Sequence, residues 1–139
     1  MKLSTRGRYG TRLMVDLARH YAQGPVPLGE IAKRQDLSVK YLEQLIIPLK
    51  KADLIKSVRG PKGGHKLAKP PGEVTVGEIV RILEGGIDLS DCISDPKICQ
   101  NTESCVTRSL WQEATDAMYD KLDSTTFADM IEKVRVVSS

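Results

Sequence analysis

The chain has 139 residues and a formal net charge of +3, and its composition is 40% hydrophobic but only 4% aromatic. This length allows one domain, or one small domain with an extension, around a mainly aliphatic core. No apolar run approaches the roughly 18 residues that a membrane-spanning helix needs, and no apolar signal-peptide core follows Met1. These features predict a cytoplasmic protein without a membrane segment.

The first predicted helix covers residues 6–23 and ends before Gly24-Pro25. A short second helix runs from Leu28 to Gln35, and Ser38 is a good N-cap for a third helix. The third helix repeats its apolar residues at helical spacing, with a polar opposite side. Two short helices joined by a turn, the second with an exposed polar face, form a helix-turn-helix pattern. The apolar positions are Leu42, Leu45, Ile46 and Leu49.

A predicted β-hairpin follows the helix-turn-helix. Two strand-like segments, 54–58 and 65–68, flank a loop that contains Gly60, Pro61 and Gly63-Gly64. A basic hairpin in this position is typical of a wing. The fold class predicted for the chain is therefore mainly α: a winged helix-turn-helix with a two-stranded wing plus a long C-terminal dimerisation helix.

Three further helices are predicted after this wing. Thr75 and Glu78 form a capping box that opens the fourth helix, which stops at Gly85-Gly86. A long helix runs from Val106 to Leu122, and Thr126 with Asp129 opens the last one. The long helix carries more apolar surface than so small a domain covers by itself, so we predict that it forms a homodimer interface, with packing against the first helix as the alternative. The proposed dimer residues are Leu110, Trp111, Ala114, Met118 and Leu122.

Charge and pattern together point to DNA. The first 72 residues carry 15 Lys and Arg against 5 Asp and Glu, whereas residues 73–139 carry 6 against 13. A basic half is typical of a region that meets a polyanion, although a solvated surface of uneven charge gives the same counts. We therefore expect residues 1–72 to form a DNA-binding region and residues 73–139 a sensor and dimerisation region within a single compact chain, with an exchange of helices between subunits as a further option.

The third helix and the wing supply the predicted contacts with double-stranded promoter DNA. Gln44 suits adenine and Lys40 suits guanine or a phosphate, and Arg59 beside Gly60 is slim enough for a minor groove. Readers of this kind bind near-palindromic sites as homodimers. The alternative is that these charges only keep a helix and a hairpin soluble. The predicted DNA-binding residues are Ser38, Lys40, Tyr41, Glu43, Gln44, Arg59, Gly60 and Lys62, with Lys56 and Lys66 as further phosphate contacts.

The chain has three cysteines, Cys92, Cys99 and Cys105, in one loop-like stretch between helical patterns. They lack the Cys-x-x-Cys pairs of structural zinc sites, and three thiolates on irregular backbone suit an iron–sulfur cluster. Inert thiols and a dithiol–disulfide switch are the alternatives. A cluster normally needs a fourth protein ligand, for which the candidates are Asp91, Asp95, Glu103, His20 and His65.

Several stretches resemble the IscR-type winged-helix regulators, the Rrf-two family, over nearly the whole chain. They are residues 1–10, 41–45, 57–64 and 77–79, and the cysteine stretch with Leu110-Trp111 resembles the IscR branch. The resemblance implies a homodimeric transcriptional regulator, mostly a repressor, that responds to an iron–sulfur cluster, [2Fe–2S] favoured over [4Fe–4S].

The resemblance also implies roles for single residues. It places cluster ligation on Cys92, Cys99 and Cys105, minor-groove contact on Arg59, and base reading on the helix from Ser38 to Gln44. Glu43 matches a position that discriminates between classes of DNA site in the IscR branch. Lys40 stands where that branch has a small hydroxyl residue, so the base preference is expected to differ.

The chain departs from the family at the fourth cluster ligand. The IscR branch has a histidine three residues after the last cysteine, where this chain has Arg108, and the nitric-oxide branch has an acidic residue where this chain has Arg8. The remaining candidates are Glu103, a group from the partner chain, or a small molecule. The alternative functions are a metal-free thiol-redox or metabolite-responsive regulator of the same fold, and a metal-delivery or scaffold protein. An enzyme is not expected, because His20 and His65 have no nucleophile–base arrangement around them.

Overall fold

The computed structural model describes residues 3–85 and 106–138, and it describes side chains as far as Lys133. In these ranges the fold is mainly helical with one two-stranded antiparallel sheet, so the predicted winged-helix fold class is confirmed. The elements are α1 (Thr5–Arg19), a 3₁₀ turn (Tyr21–Gln23), α2 (Leu28–Gln35), α3 (Val39–Lys51), β1 (Ile55–Val58), β2 (Gly64–Leu67), a second 3₁₀ turn (Pro71–Glu73), α4 (Val76–Glu84), α5 (Val106–Asp123) and α6 (Phe127–Ser138).

The first helix is shorter than predicted. The α-helix ends at Arg19, and the chain continues to Gln23 as a tighter 3₁₀ turn. Gly24 has a φ of +88°, and Pro25 beyond it has no N–H to donate, so the chain turns away before the helical ladder can continue. The helical spacing of the apolar residues does not distinguish these two kinds of turn.

The helix-turn-helix follows the predicted pattern closely. The second helix has the predicted bounds, and the Ser38 side chain accepts a hydrogen bond from the Tyr41 amide at 3.0 Å. Pro48 lies within α3 without ending it, because the helix continues to Lys51. The predicted apolar stripe is buried, which fixes α3 on the core and turns its polar side outward; its members are Leu42, Leu45, Ile46 and Leu49.

The wing pairs Ile55 with Leu67 and Val58 with Gly64 in antiparallel register. The segment before α2 joins this sheet through a single bridge. Val26 donates its amide to the His65 carbonyl at 2.8 Å, and the His65 amide donates to the Val26 carbonyl at 2.9 Å. The wing is therefore tied to the start of the helix-turn-helix.

One hydrophobic core spans both predicted regions. Leu13, Met14 and Leu17 of α1 belong to the same buried cluster as the stripe of α3, and α4 and α6 add side chains from the second half of the chain. These additions are Ile79, Val80, Leu83 and Phe127, all at most 4% exposed. The long helix α5 packs on α4.

The capping boxes differ from each other. Thr126 and Asp129 complete a reciprocal box, with hydrogen bonds of 2.9 and 3.1 Å. At α4 only the threonine half forms: the Thr75 hydroxyl accepts from the Glu78 amide at 3.2 Å. One carboxylate oxygen of Glu78 is buried, and the described residues offer it no hydrogen-bond partner. The expectation of a reciprocal box at Thr75 is therefore wrong for the glutamate half.

A buried carboxylate joins α1 to α2. Asp16 is 3% exposed and accepts two hydrogen bonds from Arg34, at 2.7 and 2.9 Å, and one from Gln35 at 3.0 Å. Burial acts to raise the pKa of Asp16, but these hydrogen bonds and the electrostatic effects of Arg34 and His20 outweigh it, so the pKa lies below its ordinary value. The pair therefore stabilises the fold only while Asp16 is ionised.

We predict that Asp16→Asn lowers the free energy of unfolding at pH 7. The loss should lie near the lower end of about 1.5–3 kcal/mol, the range for hydrogen bonds to charged groups, because the Arg34 side chain is 36% exposed. Because the pKa of Asp16 is lower in the folded chain than in the unfolded chain, the ionised carboxylate contributes its full stabilisation above about pH 4. This contribution is lost as the pH falls through the folded-state pKa. Denaturant unfolding at pH 7 and pH 3 should therefore show the difference shrinking at the lower pH.

The matched control is Glu30→Gln, which removes the exposed carboxylate that lies 3.8 Å from the same guanidinium. Its stability should stay within about 0.5 kcal/mol of the native chain. An Asp16→Asn variant that behaves like this control at both pH values would contradict the assigned role of the buried pair.

Candidate nucleic-acid interface

The outer side of α3 presents polar side chains to solvent. Lys40, Glu43 and Gln44 are exposed, one turn beyond the Ser38 cap. Ile47 on the same side is 54% exposed, although nothing in the sequence pattern marked it as a surface residue. A helix with a buried stripe and this free side has the shape that major-groove insertion requires.

Tyr41 occupies a different environment from its neighbours. Its ring is half-buried and packs edge-on against Tyr9 of α1, with 6.1 Å between the ring centroids. Its hydroxyl is buried, and the described residues offer it no hydrogen-bond partner. In this structure Tyr41 packs α3 against α1, and its predicted contact with DNA stays a prediction that requires the hydroxyl to turn outward.

The tip of the wing is exposed and glycine-rich. Arg59, Gly60 and Lys62 all lie in the exposed turn, and the Gly63 amide donates to the Gly60 carbonyl at 2.9 Å. At Gly64 a Cβ atom would lie 2.3 Å from the Val26 carbonyl oxygen. The wing can therefore approach the segment before α2 only because this position has no side chain.

A cavity of about 360 Å³ separates α3 from the wing. The Ser57 hydroxyl and the Nδ1 atom of His65 lie 3.0 Å apart at its edge. Burial lowers the pKa of His65 and nearby Lys50 lowers it further, while Glu43 acts in the opposite direction. His65 is therefore neutral near pH 7 and adds no positive charge to this surface.

Two exposed arginines of α1, Arg8 and Arg12, were not among the predicted DNA-binding residues. Their guanidinium carbons lie 5.7 and 5.1 Å from the centre of the Tyr9 ring, and Arg12 donates to the Gln35 carbonyl at 3.1 Å. The spacing of four residues between Arg8 and Arg12 already indicated that both side chains lie on one side of the first helix.

The long helix α5 is covered over half of its length. Met118 and Leu122 are half-buried against the core and Ala114 is half-buried, whereas Leu110 is 53% exposed and Trp111 is 40% exposed. Beside the covered half lies an apolar groove of about 490 Å³ between α1, α4 and α5. The groove is lined by Leu3, Arg8, Thr11, Arg12, Val76, Val80, Met118 and Leu122.

Contacts of Arg81 hold the C-terminal end of α5 against α4. Arg81 makes a bidentate pair with Asp123, with one of the bonds at 2.8 Å, and its guanidinium carbon lies 4.3 Å from the Tyr119 ring centre. At Gly77 a Cβ atom would lie 1.8 Å from an Asp123 carboxylate oxygen. The absence of a side chain there lets the two helices approach.

The predicted metal ligands fall into two groups. The three cysteines and Glu103, with Asp91 and Asp95, fall outside the described residues. His20 lies 2.8 Å from the Asp16 carbonyl and His65 beside Ser57, and within 3–85 and 106–138 no group of three His, Cys, Asp or Glu side chains could hold a metal ion. Over the same residues, no helix is long and apolar enough to cross a membrane.

A helix-turn-helix with a polar reading helix and a basic wing defines a DNA-binding protein of the winged-helix class. The family model of Rrf2, described as an iron-dependent transcriptional regulator, matches residues 3–133. The chain belongs to the Rrf2 family of transcriptional regulators and is of the IscR type; members of this family bind DNA and are not enzymes.

Individual relatives agree with this assignment. The regulator CymR of Bacillus subtilis is 43% identical over 130 residues, which is 94% of this chain and 89% of that protein. The regulator IscR of Pectobacterium atrosepticum is 37% identical over 138 residues, which is 99% of this chain and 84% of that protein. The solved structure of T. potens IscR is 44% identical and superposes with a TM-score of 0.80, covering 96% of this chain and 88% of that one.

Proposed function

We propose that the protein is a promoter-binding regulator, mostly a repressor, that acts as a homodimer on near-palindromic DNA and senses an iron–sulfur cluster on Cys92, Cys99 and Cys105. The observation that carries the proposal is the exposed polar side of α3 next to a basic wing, in a chain of the Rrf2 family. In this arrangement a helix can enter the major groove while the wing reaches the neighbouring minor groove.

Each DNA-reading residue has its own proposed role in recognition. Gln44 reads adenine, Lys40 reads guanine or holds a phosphate, and Glu43 favours cytosine or disfavours DNA that lacks it. Arg59 enters the minor groove from a turn that Gly60, with a φ of +110°, keeps narrow. Ser38 fixes the first turn of α3, and the wing lysines Lys56, Lys62 and Lys66 neutralise phosphates.

We predict that Gln44→Ala weakens binding to the native promoter by about 1–3 kcal/mol and relaxes base preference at one position. Arg59→Ala should weaken binding and lower the slope of log affinity against log salt by about 1. Fluorescence anisotropy over a salt series measures both effects. Lys133→Ala removes an exposed positive charge on α6 and serves as the control, with native affinity expected. Native affinity in both reading variants would support a protein-binding scaffold instead.

The homodimer proposal rests on the uncovered half of α5. Trp111, Ala114, Met118 and Leu122 follow one side of the helix at helical spacing, but the body of the chain covers only the last part of this stripe. An exposed apolar patch of this kind marks an association surface. In a two-fold dimer the free half of one α5 can enter the apolar groove beside the covered half of the other, since both surfaces occur on every copy.

We predict that Trp111→Glu raises the dimer dissociation constant at least tenfold, which corresponds to about 1.4 kcal/mol. The introduced carboxylate would have to leave water on association. Sedimentation equilibrium measures the change. Ser109→Glu places the same charge on the opposite, exposed side of the helix and should leave association unchanged. Equal effects from both variants would show that charge on α5, rather than the stripe, controls association.

The cysteine site is proposed from chemistry, because its residues lie outside the described ranges. Three thiolates are a donor set that iron accepts, and the family description names iron-dependent regulation. Arg108 follows Cys105 by three residues and offers no iron ligand, so a fourth ligand such as Glu103, a group from the partner chain or a small molecule completes the site. When bound, the cluster would add its charge to this part of the chain, and the three cysteines would hold it.

The alternative function is a metal-free thiol-redox or metabolite-responsive regulator. It is favoured by the 43% identity to CymR and by the solved structure described as CymR, the global cysteine regulator of B. subtilis, which superposes with a TM-score of 0.82. The same cysteines would then respond to oxidation instead of holding iron.

Anaerobic purification decides between these functions. We predict a coloured protein whose visible absorption and Mössbauer spectra show a [2Fe–2S] cluster, and we predict that replacing all three cysteines by serine removes both signals. A colourless protein without iron, whose DNA affinity changes with oxidant and recovers with a dithiol, would establish the alternative. The triple serine variant is the control there too, since it should respond to neither treatment.

A further inference from the structure

The N-terminus of α1 has an incomplete cap of its own. Ser4 is the N-cap residue, and its hydroxyl accepts a hydrogen bond from the Gly7 amide at 3.3 Å. In a complete capping box the third helical residue is a glutamate or glutamine that accepts from the N-cap amide. Here that residue is Gly7, and the first turn of α1 contains no acidic side chain.

The missing glutamate comes from another helix. Glu84, the last residue of α4, accepts from the Ser4 amide at 3.0 Å and from the Ser4 hydroxyl. A Cβ atom on Gly7 would lie 2.2 Å from the same carboxylate oxygen. The glycine that cannot complete the box locally therefore provides the space for Glu84 to complete it. A carboxylate at this end of α1 also offsets the positive end of the helix dipole.

This contact lies where the two halves of the chain meet. Gly85, with a φ of +73°, ends α4, and the sequence continues directly into residues 86–105, which carry all three cysteines. On the other side, the helix that Glu84 caps reaches the DNA-reading elements within a few residues. Tyr9 of α1 packs edge-on against Tyr41 in the first turn of α3, and Arg12 holds Gln35 at the end of α2.

We propose that Glu84 is the positioning residue through which the cysteine-bearing part of the chain acts on the DNA-reading helix. The carboxylate either caps α1 or leaves it. Moving the end of α4 by the length of a hydrogen bond removes the cap, and the Tyr9–Tyr41 contact passes the shift of α1 to α3. This inference rests on the proposed function, because it requires DNA affinity to depend on the state of the cysteines. Coupling between the cysteine-bearing part and the DNA-reading helix is measured as a ratio of two DNA affinities.

The ratio is DNA affinity with the iron–sulfur cluster loaded over DNA affinity in the iron-free protein, measured by anisotropy on the same promoter fragment. We expect Glu84→Ala to bring this ratio close to one. Glu84→Gln keeps an acceptor oxygen for Ser4 and should restore most of the native ratio. Glu73→Ala removes an exposed carboxylate in the 3₁₀ turn before α4 and should leave the ratio unchanged.

Gly7→Ala tests the same contact from the other side. Alanine favours the helix more than glycine does, but its Cβ displaces the end of the Glu84 side chain. We expect this variant to bring the ratio towards one as Glu84→Ala does, although the helix itself is not weakened. Amide hydrogen exchange in the iron-free protein gives a readout that needs no cluster: exchange at Ser4 should quicken in Glu84→Ala and in Gly7→Ala, and stay native in Glu73→Ala.

The outcomes separate this inference from the proposed function. If native protein shows a ratio different from one and Glu84→Ala keeps that ratio, Glu84 has only a structural role and the inference is overturned. If native protein binds the promoter with a ratio of one, iron–sulfur sensing fails, and the coupling fails with it. Loss of affinity in both states by the same factor is the structural result and also overturns the inference.

Discussion

The close crossing of α1 and α4 is the contact on which the rest of the structure depends. At Gly10 a Cβ atom would lie 2.0 Å from a terminal methyl group of Leu83, so a larger residue there would require the Leu83 side chain to move. Because the helices meet closely, Ile79 and Leu83 reach the same core as the buried face of α1. A helix that belongs by sequence to the acidic half is thereby built into the basic half, and the direction in which α5 leaves the body is set by its packing on α4.

The two best-formed ion pairs have different physical roles. Asp16 is buried and Arg34 covers it, so loss of Arg34 would leave a buried carboxylate without its charged partner, and the pair contributes to stability. Arg81 and Asp123 are 47% and 42% exposed, and water screens such a pair. Its contribution is geometric, because the planar guanidinium fixes Asp123 in two places and also lies over Tyr119. The Asp16–Arg34 pair joins α1 to α2, and the Arg81–Asp123 pair sets the position of α5 on α4.

Local chemistry explains what the sequence predicted well. The bounds of α2, the Ser38 cap and the buried stripe of α3 follow from spacing and from one hydroxyl, all within a few residues of each other. The hairpin is similar, since its glycines can be recognised without knowing what they touch. For the candidate site, the exposure of Lys40 and Gln44 followed from the helical periodicity of α3, and that of the wing tip followed from its glycine-rich loop.

What the sequence did not predict depends on contacts between distant residues. The Tyr41 hydroxyl is buried because α1 passes beside the first turn of α3, and the pattern of α3 alone contains no sign of α1. The glutamate half of the box at Thr75 is absent although the motif is present. At Ser4 the motif is absent, yet the cap is complete, because the glutamate lies 80 positions away. Motifs report what a segment can do by itself, whereas these three residues are satisfied or left unsatisfied by their neighbours in space.

The proposed division between DNA reading and sensing fits this architecture. The DNA-reading part of the chain, α3 and the wing, is fixed by the hydrophobic core and by the Val26–His65 bridge. Relatives named CymR and IscR match 94% and 99% of this chain, so both match the DNA-reading part. In the sequence, the cysteine-bearing residues 86–105 follow the end of α4 directly. Among the described contacts at that end, the Glu84 carboxylate on Ser4 joins the two halves by a polar bond, and a polar bond can be made and broken without disturbing the core.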